Sequence, residues 1–148
     1  MKESSKIRRV TLKVSTNEKW VLFGIVAAEP DYKLSLALNR RLGISLRNTR
    51  PLTIHDENES ELMYSRFSNS SNSSGLVCEL TSNHSGKNYL IRKLKNIDFF
   101  LLVHDFYEET DPETILSILR ETGTITAVFK IDPDIIKDRN LKYLINRI

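Results

Sequence analysis

Two stretches of nearly unbroken apolar residues constrain the fold of this chain more than anything else in it. One is Trp20 to Ala28; the other is Ile97 to His104, interrupted only by Asp98. Runs of this kind, rich in β-branched and aromatic residues and ending in turn residues or polar ones, read as strands in the middle of a sheet. The first spans nine residues, about half of what a membrane crossing needs.

Each run leads towards a helix. After Glu29-Pro30, where Pro30 suits a first helical turn, the spacing predicts a helix over Tyr32 to Leu42 that stops at Gly43. Leu34, Ala37, Leu38 and Leu42 share one face of it, while Tyr32 and Leu36 fall on the opposite side. Two large apolar residues on a second face call for a cover, either another element or a second subunit. After the second run, Asp111-Pro112 caps a helix with Ile115, Ile118, Leu119 and Thr122 on one face, ending at Gly123.

Further strands are expected at Lys6–Ser15 (period-two alternation), Glu61–Ser68 (facing an edge), Leu76–Ser82, Asn88–Ile91 and Thr124–Ile131. Arg47 to Asn58 carries few periodic signals and reads as a surface crossing. Residues 69–75 and 83–86 read as polar turns, and Asp132-Pro133 opens a helical stretch towards Ile148. This mixture argues for an α+β fold: a mostly antiparallel sheet of about five to seven strands with two or three helices packed on one face. With 148 residues, 40% of them hydrophobic, and only five Gly and four Pro, the chain fits one globular domain over 1–148 rather than a disordered segment.

Compartment follows from what the first residues lack and from a single thiol. Met1 to Arg9 is charged and has no apolar stretch of the length a secretory signal requires. Cys78 is alone, so neither an intrachain disulfide nor a multi-cysteine zinc site can form. A cytoplasmic protein with no membrane segment is the expectation. The Asn-x-Ser triplets at Asn58, Asn69, Asn72 and Asn83 then read as polar turns rather than glycan acceptors.

Few residues suggest chemistry. Cys78, between Leu76, Val77 and Leu80, reads as an inert core thiol. His55-Asp56-Glu57 with Glu59 and Glu61 offers metal donors, but no second His lies nearby to fix a shell; His104-Asp105 with Glu108, Glu109 and Asp111 follows a core strand. Both read as solvated acidic segments. The Ser-rich stretch has no adjacent His, and no glycine pattern cradles a phosphate. No catalytic, metal or cofactor site is assigned.

The order and spacing of several segments resemble a family of small bacterial proteins known by its IPExxVDY motif. The segments are Phe23-Gly24-Ile25, Asp31-Tyr32-Lys33-Leu34, Leu38 to Gly43, Leu90 to Leu101, and Ala127 to Pro133. The resemblance spans most of the chain and implies no activity. Where the motif has Pro-Glu this sequence has Arg92-Lys93, and Val-Asp-Tyr stands as Ile97-Asp98-Phe99. A catalytic Glu and an assisting Tyr hydroxyl would both be lost by these changes. Ile91, Ile97, Asp98 and Phe99 therefore read as a structural motif that packs a loop onto a strand, with Asp98 bonding nearby backbone donors.

Charge is unevenly placed: residues 1–50 hold 11 Lys/Arg against 4 Asp/Glu, and residues 51–110 hold 5 against 9. Such asymmetry suits a nucleic-acid surface or a basic face meeting an acidic one. The leading expectation is a non-catalytic domain acting through protein contacts, including a homodimer, with Tyr32 and Leu36 at the interface. A second is accessory RNA binding through Arg40, Arg41, Arg47 and Arg50, joined by Arg8, Arg9 and Lys13. A third is a small-molecule sensor with a pocket near Asp98 and His104.

Overall fold

The computed structural model describes residues 19–69, 75–105 and 110–145. The expected strand at Lys6–Ser15 and the basic residues Arg8, Arg9 and Lys13 lie outside them. In chain order the elements are β1 (Lys19–Val26), α1 (Asp31–Leu42), β2 (Arg47–His55), β3 (Glu61–Ser68), β4 (Leu76–Ser82), a two-residue pair β5 (His84–Ser85) and β6 (Asn88–Tyr89), β7 (Phe99–Asp105), α2 (Pro112–Arg120), β8 (Ala127–Ile131) and a short α3 (Lys142–Ile145).

Six strands form one sheet in the order β2-β3-β4-β7-β1-β8, and every neighbouring pair is antiparallel. The two apolar runs become β1 and β7, which pair from Lys19↔Asp105 to Ile25↔Phe99. All seven residues of β7 are buried. Alternation along the central strands builds two cores, one on each side of the sheet.

On the first side, Phe23, Ile25, Cys78, Leu80, Leu101 and Val103 meet Leu34 and Leu38 of α1 and Ile115, Leu116 and Leu119 of α2. Helix α1 ends where Gly43 takes a left-handed conformation, φ 67°, and its N–H donates to the Asn39 carbonyl. That conformation strains any residue with a Cβ and closes the helix. Pro30 stands one residue before the helix, its carbonyl accepting from the N–H groups of Lys33 and Leu34. At α2, Asp111 accepts from Glu113 N–H at 3.1 Å and Pro112 follows. This helix ends at Arg120, before Gly123.

On the second side, Leu22, Tyr64, Phe100 and Leu102 are covered without a long helix. Leu90, Ile91 and Ile97 come from the segment between β4 and β7, and Leu141 and Leu144 from the C-terminal turns. Two helices thus pack on one face, as expected, and α3 lies on the other.

Four local expectations change. Arg47–His55 is a strand, not a surface crossing: only Leu52 is buried along it, and its register shifts between Thr49 and Leu52, around Pro51. A proline and one buried side chain suit an edge strand and leave little periodicity to read. β3 lies between β2 and β4 rather than at an edge. The stretch after Asp132-Pro133 is broken: a turn, a 3-10 turn at Arg139–Leu141, then one turn of α3. Finally, Asn69 and Asn83 are buried, Asn83 completely, and are not surface turn residues.

Candidate interaction surface

The buried asparagines show how an irregular segment is held on the sheet. The Asn83 side-chain amide donates to the carbonyls of Leu94 at 3.0 Å and Ile97 at 2.9 Å, and its Oδ1 accepts from Ile91 N–H at 2.8 Å. Its main chain adds N–H to the Asp98 carbonyl and accepts from Leu90 N–H, both at 2.9 Å. One residue therefore serves the polar groups of a 16-residue segment, Asn83–Asp98, that has no ladder of its own over most of its length. Asn69 does similar work at the mouth of the β3–β4 connection, donating to the Leu76 carbonyl at 3.0 Å and accepting from Cys78 N–H.

Asp98 closes the other end of that segment. Its N–H donates to the Ile25 carbonyl at 2.8 Å, and its Oδ2 accepts from Ala27 N–H at 2.9 Å, where β1 leaves the sheet for α1. Its Oδ1 lies 2.9 Å from His84 Nε2, and the His84 ring rests against Tyr89 with centroids 5.0 Å apart. Ile91 and Ile97 are buried in the core of this side, while Phe99, the first residue of β7, faces the helix-covered core. The four motif residues thus join the loop, the end of β1 and the start of β7. Asp98 and His104 are not brought together, since they sit near opposite ends of β7.

Other candidates are drawn into local structure. Asp56 Oδ1 accepts from Asn58 N–H at 2.9 Å and Ser60 N–H at 2.8 Å, shaping the β2–β3 turn, and His55 lies 3.7 Å from Glu61. Asp105 Oδ2 accepts from Thr110 N–H at 2.7 Å. Glu108 and Glu109 lie outside the described residues. Cys78 is fully buried, and burial pushes its thiol up to about 12, leaving no thiolate for chemistry at neutral pH.

What remains is the outer face of α1. Leu34, Ser35 and Leu38 face inward; Tyr32 and Leu36, one turn apart, are 55% and 53% exposed. Trp20, Met63, Phe129 and Ile135 are exposed too, but on four other segments. Arg40 continues the stripe of Tyr32 and Leu36 by another turn. The helix has Asp31 in its first turn and Arg40 and Arg41 in its last.

The four arginines do not behave as one set. Arg40, Arg47 and Arg50 are exposed, whereas Arg41 turns to α2 and meets Glu121 Oε1 at 3.3 Å. That pair forms at the surface. No helix among the described residues is long and apolar enough to cross a membrane. No family model matches the chain, and no curated protein aligns with it.

Proposed function

We propose that this protein is a single non-catalytic domain that works through protein contacts, the first of them with a second copy of itself across the outer face of α1. The observation that carries this is the exposed pair Tyr32 and Leu36 on one helical face. The stripe is self-complementary. Tyr32 and Arg40 stand four residues either side of Leu36, so two copies of α1 crossing antiparallel at Leu36 set each Tyr32 ring against Arg40 of the second copy. That is a cation–π contact, and it repeats by the two-fold axis. The same crossing brings the Asp31 end of one helix to the Arg40–Arg41 end of the other and opposes their dipoles.

The cytoplasmic setting and the kinship with the IPExxVDY family belong to this proposal. The first is supported by the free Cys78, the second by the motif segment. RNA binding ranks second. It is supported by the exposure of Arg40, Arg47 and Arg50, and weakened by the Arg41–Glu121 pair.

Light scattering coupled to size exclusion tests the leading reading. The wild type is expected at twice 17.1 kDa with a melting temperature that rises with concentration, and Leu36→Glu at the monomer mass with a melting temperature that does not. A wild-type monomer at every concentration, or a Leu36→Glu dimer, overturns it.

A further inference from the structure

On the loop-covered side, away from α1, the β2–β3 hairpin, the β5–β6 pair and the C-terminal turns border an open cleft of about 340 Å³, with Arg92, Lys137 and Arg139 exposed along it. That volume lies within the range of small-ligand pockets, roughly 300–1,000 Å³. Its lining includes Tyr64, only 1% exposed, with Tyr89 beside it. Arg92, Lys137 and Arg139 line the same cavity, from a 3-10 turn after β6 and from the segment before α3.

Formal charge in the lining balances, three cations against Asp56, Glu57 and Asp138, but the two signs are placed differently. Asp56 holds the hairpin turn through Asn58 and Ser60. Asp138 accepts from Asn140 N–H at 2.8 Å and caps the 3-10 turn. Among the described residues none of the three cations makes an ion pair. The cavity therefore offers three cationic heads free of ion pairs, two of them guanidiniums suited to forked anion contacts, while Asp56 and Asp138 keep their negative charge but each has one oxygen, Oδ1, turned to backbone N–H groups. The Arg92 charge reaches the cavity floor, where it works against the burial that raises the Tyr64 phenol.

We infer that this cavity is a binding site for a compact polyanion bearing phosphate or carboxylate groups, held by Arg92, Lys137 and Arg139 over Tyr64. The inference does not depend on the α1 interface, because it uses other residues on the opposite side of the sheet.

Pyrophosphate and citrate are the probes, titrated into the full chain at low ionic strength by calorimetry and followed by amide NMR shifts. At least one should bind saturably, with a Kd below about 1 mM, and move amides at residues 54–57, 88–92 and 137–140. Pyrophosphate alone binding assigns a phosphate ligand, and citrate alone a carboxylate. The double variant Arg92→Gln/Arg139→Gln should weaken binding by about tenfold or more, and Glu57→Gln should tighten it. Arg47→Gln/Arg50→Gln, which removes two exposed cations elsewhere, should leave the affinity unchanged. Absence of saturable binding by both probes, an unchanged Kd in the cavity variants, or equal weakening in the Arg47/Arg50 control would overturn the assignment.

Discussion

The two faces of the sheet are closed by different means. The first is covered by α1 and α2, whose apolar side chains recur at helical spacing and whose backbone bonds are internal. The second is covered by a segment with almost no regular structure, Asn83–Asp98, whose backbone groups must find partners one at a time. Asn83 and Asp98 supply them, and Leu90, Ile91 and Ile97 can then be buried beside Phe100 and Leu102. A periodic cover carries its own hydrogen bonds, whereas an irregular one depends on a few buried polar side chains. The contrast bears on the proposed function as well. The periodic cover leaves one face of α1 free for contact, while the irregular cover has its motif residues occupied in holding the fold.

The sharpest way to break this contrast is Asn83→Ala. It leaves the Ile91 N–H and the Ile97 carbonyl without their partner, and takes from the Leu94 carbonyl one of its two donors, the Ile97 N–H remaining, at about 1–3 kcal/mol for a buried group left unpaired. A total loss of about 4 kcal/mol in urea unfolding is expected. A loss below about 1 kcal/mol would show that the segment holds itself by apolar packing alone.

Gly24→Ala tests how closely the irregular cover sits on β1. A Cβ there would meet Ile97 Cδ1 at 3.0 Å and Ile131 Cδ1 at 3.1 Å. Those are side-chain ends that can yield, so the overpacking should cost about 1–2 kcal/mol. A neutral or stabilising result would mean that Ile97 is not pressed against the strand.

The helix-covered side is tested by pH. The Cys78 thiol, raised from 9.0 to about 12 by burial, stays protonated in the fold while the unfolded thiol ionises. Between pH 9 and 12 the unfolded state thus binds fewer protons than the folded one, so stability falls as pH rises. The wild type should lose about 1 kcal/mol per pH unit more than Cys78→Ala across that window. Equal slopes would place water beside the thiol.

This same division decided what could be read in the sequence. The apolar runs of β1 and β7, the inward Leu34 and Leu38 of α1 and Ile115 and Leu119 of α2, and the Gly43 stop all follow from periodicity and turn chemistry acting on neighbouring residues, whereas on α2 Leu116 is buried and the expected Ile118 only half-buried. Asp98 was legible as a backbone-bonding carboxylate because it interrupts an apolar run. Asn83 was not: an Asn before His-Ser-Gly looks like any polar turn, and its burial depends on carbonyls 11 and 14 residues away. β2 escaped because an edge strand with Pro51 and one buried side chain leaves no alternation to count. The cavity was hidden for a related reason, since Arg92, Lys137 and Arg139 are far from Tyr64 in the chain and meet it only through the irregular cover.

Amide hydrogen exchange at about 5 μM and about 500 μM protein tests directly the proposal that the irregular cover is held within one chain while α1 meets a second copy. The N–H groups of Asn83, Leu90, Ile91 and Asp98 should be strongly protected, equally at both concentrations, because their bonds lie within one chain. Residues 31–42 should gain protection at the higher concentration, most of all around Leu36. Exchange of α1 that ignores concentration, or rapid exchange across Asn83–Asp98, would contradict the account.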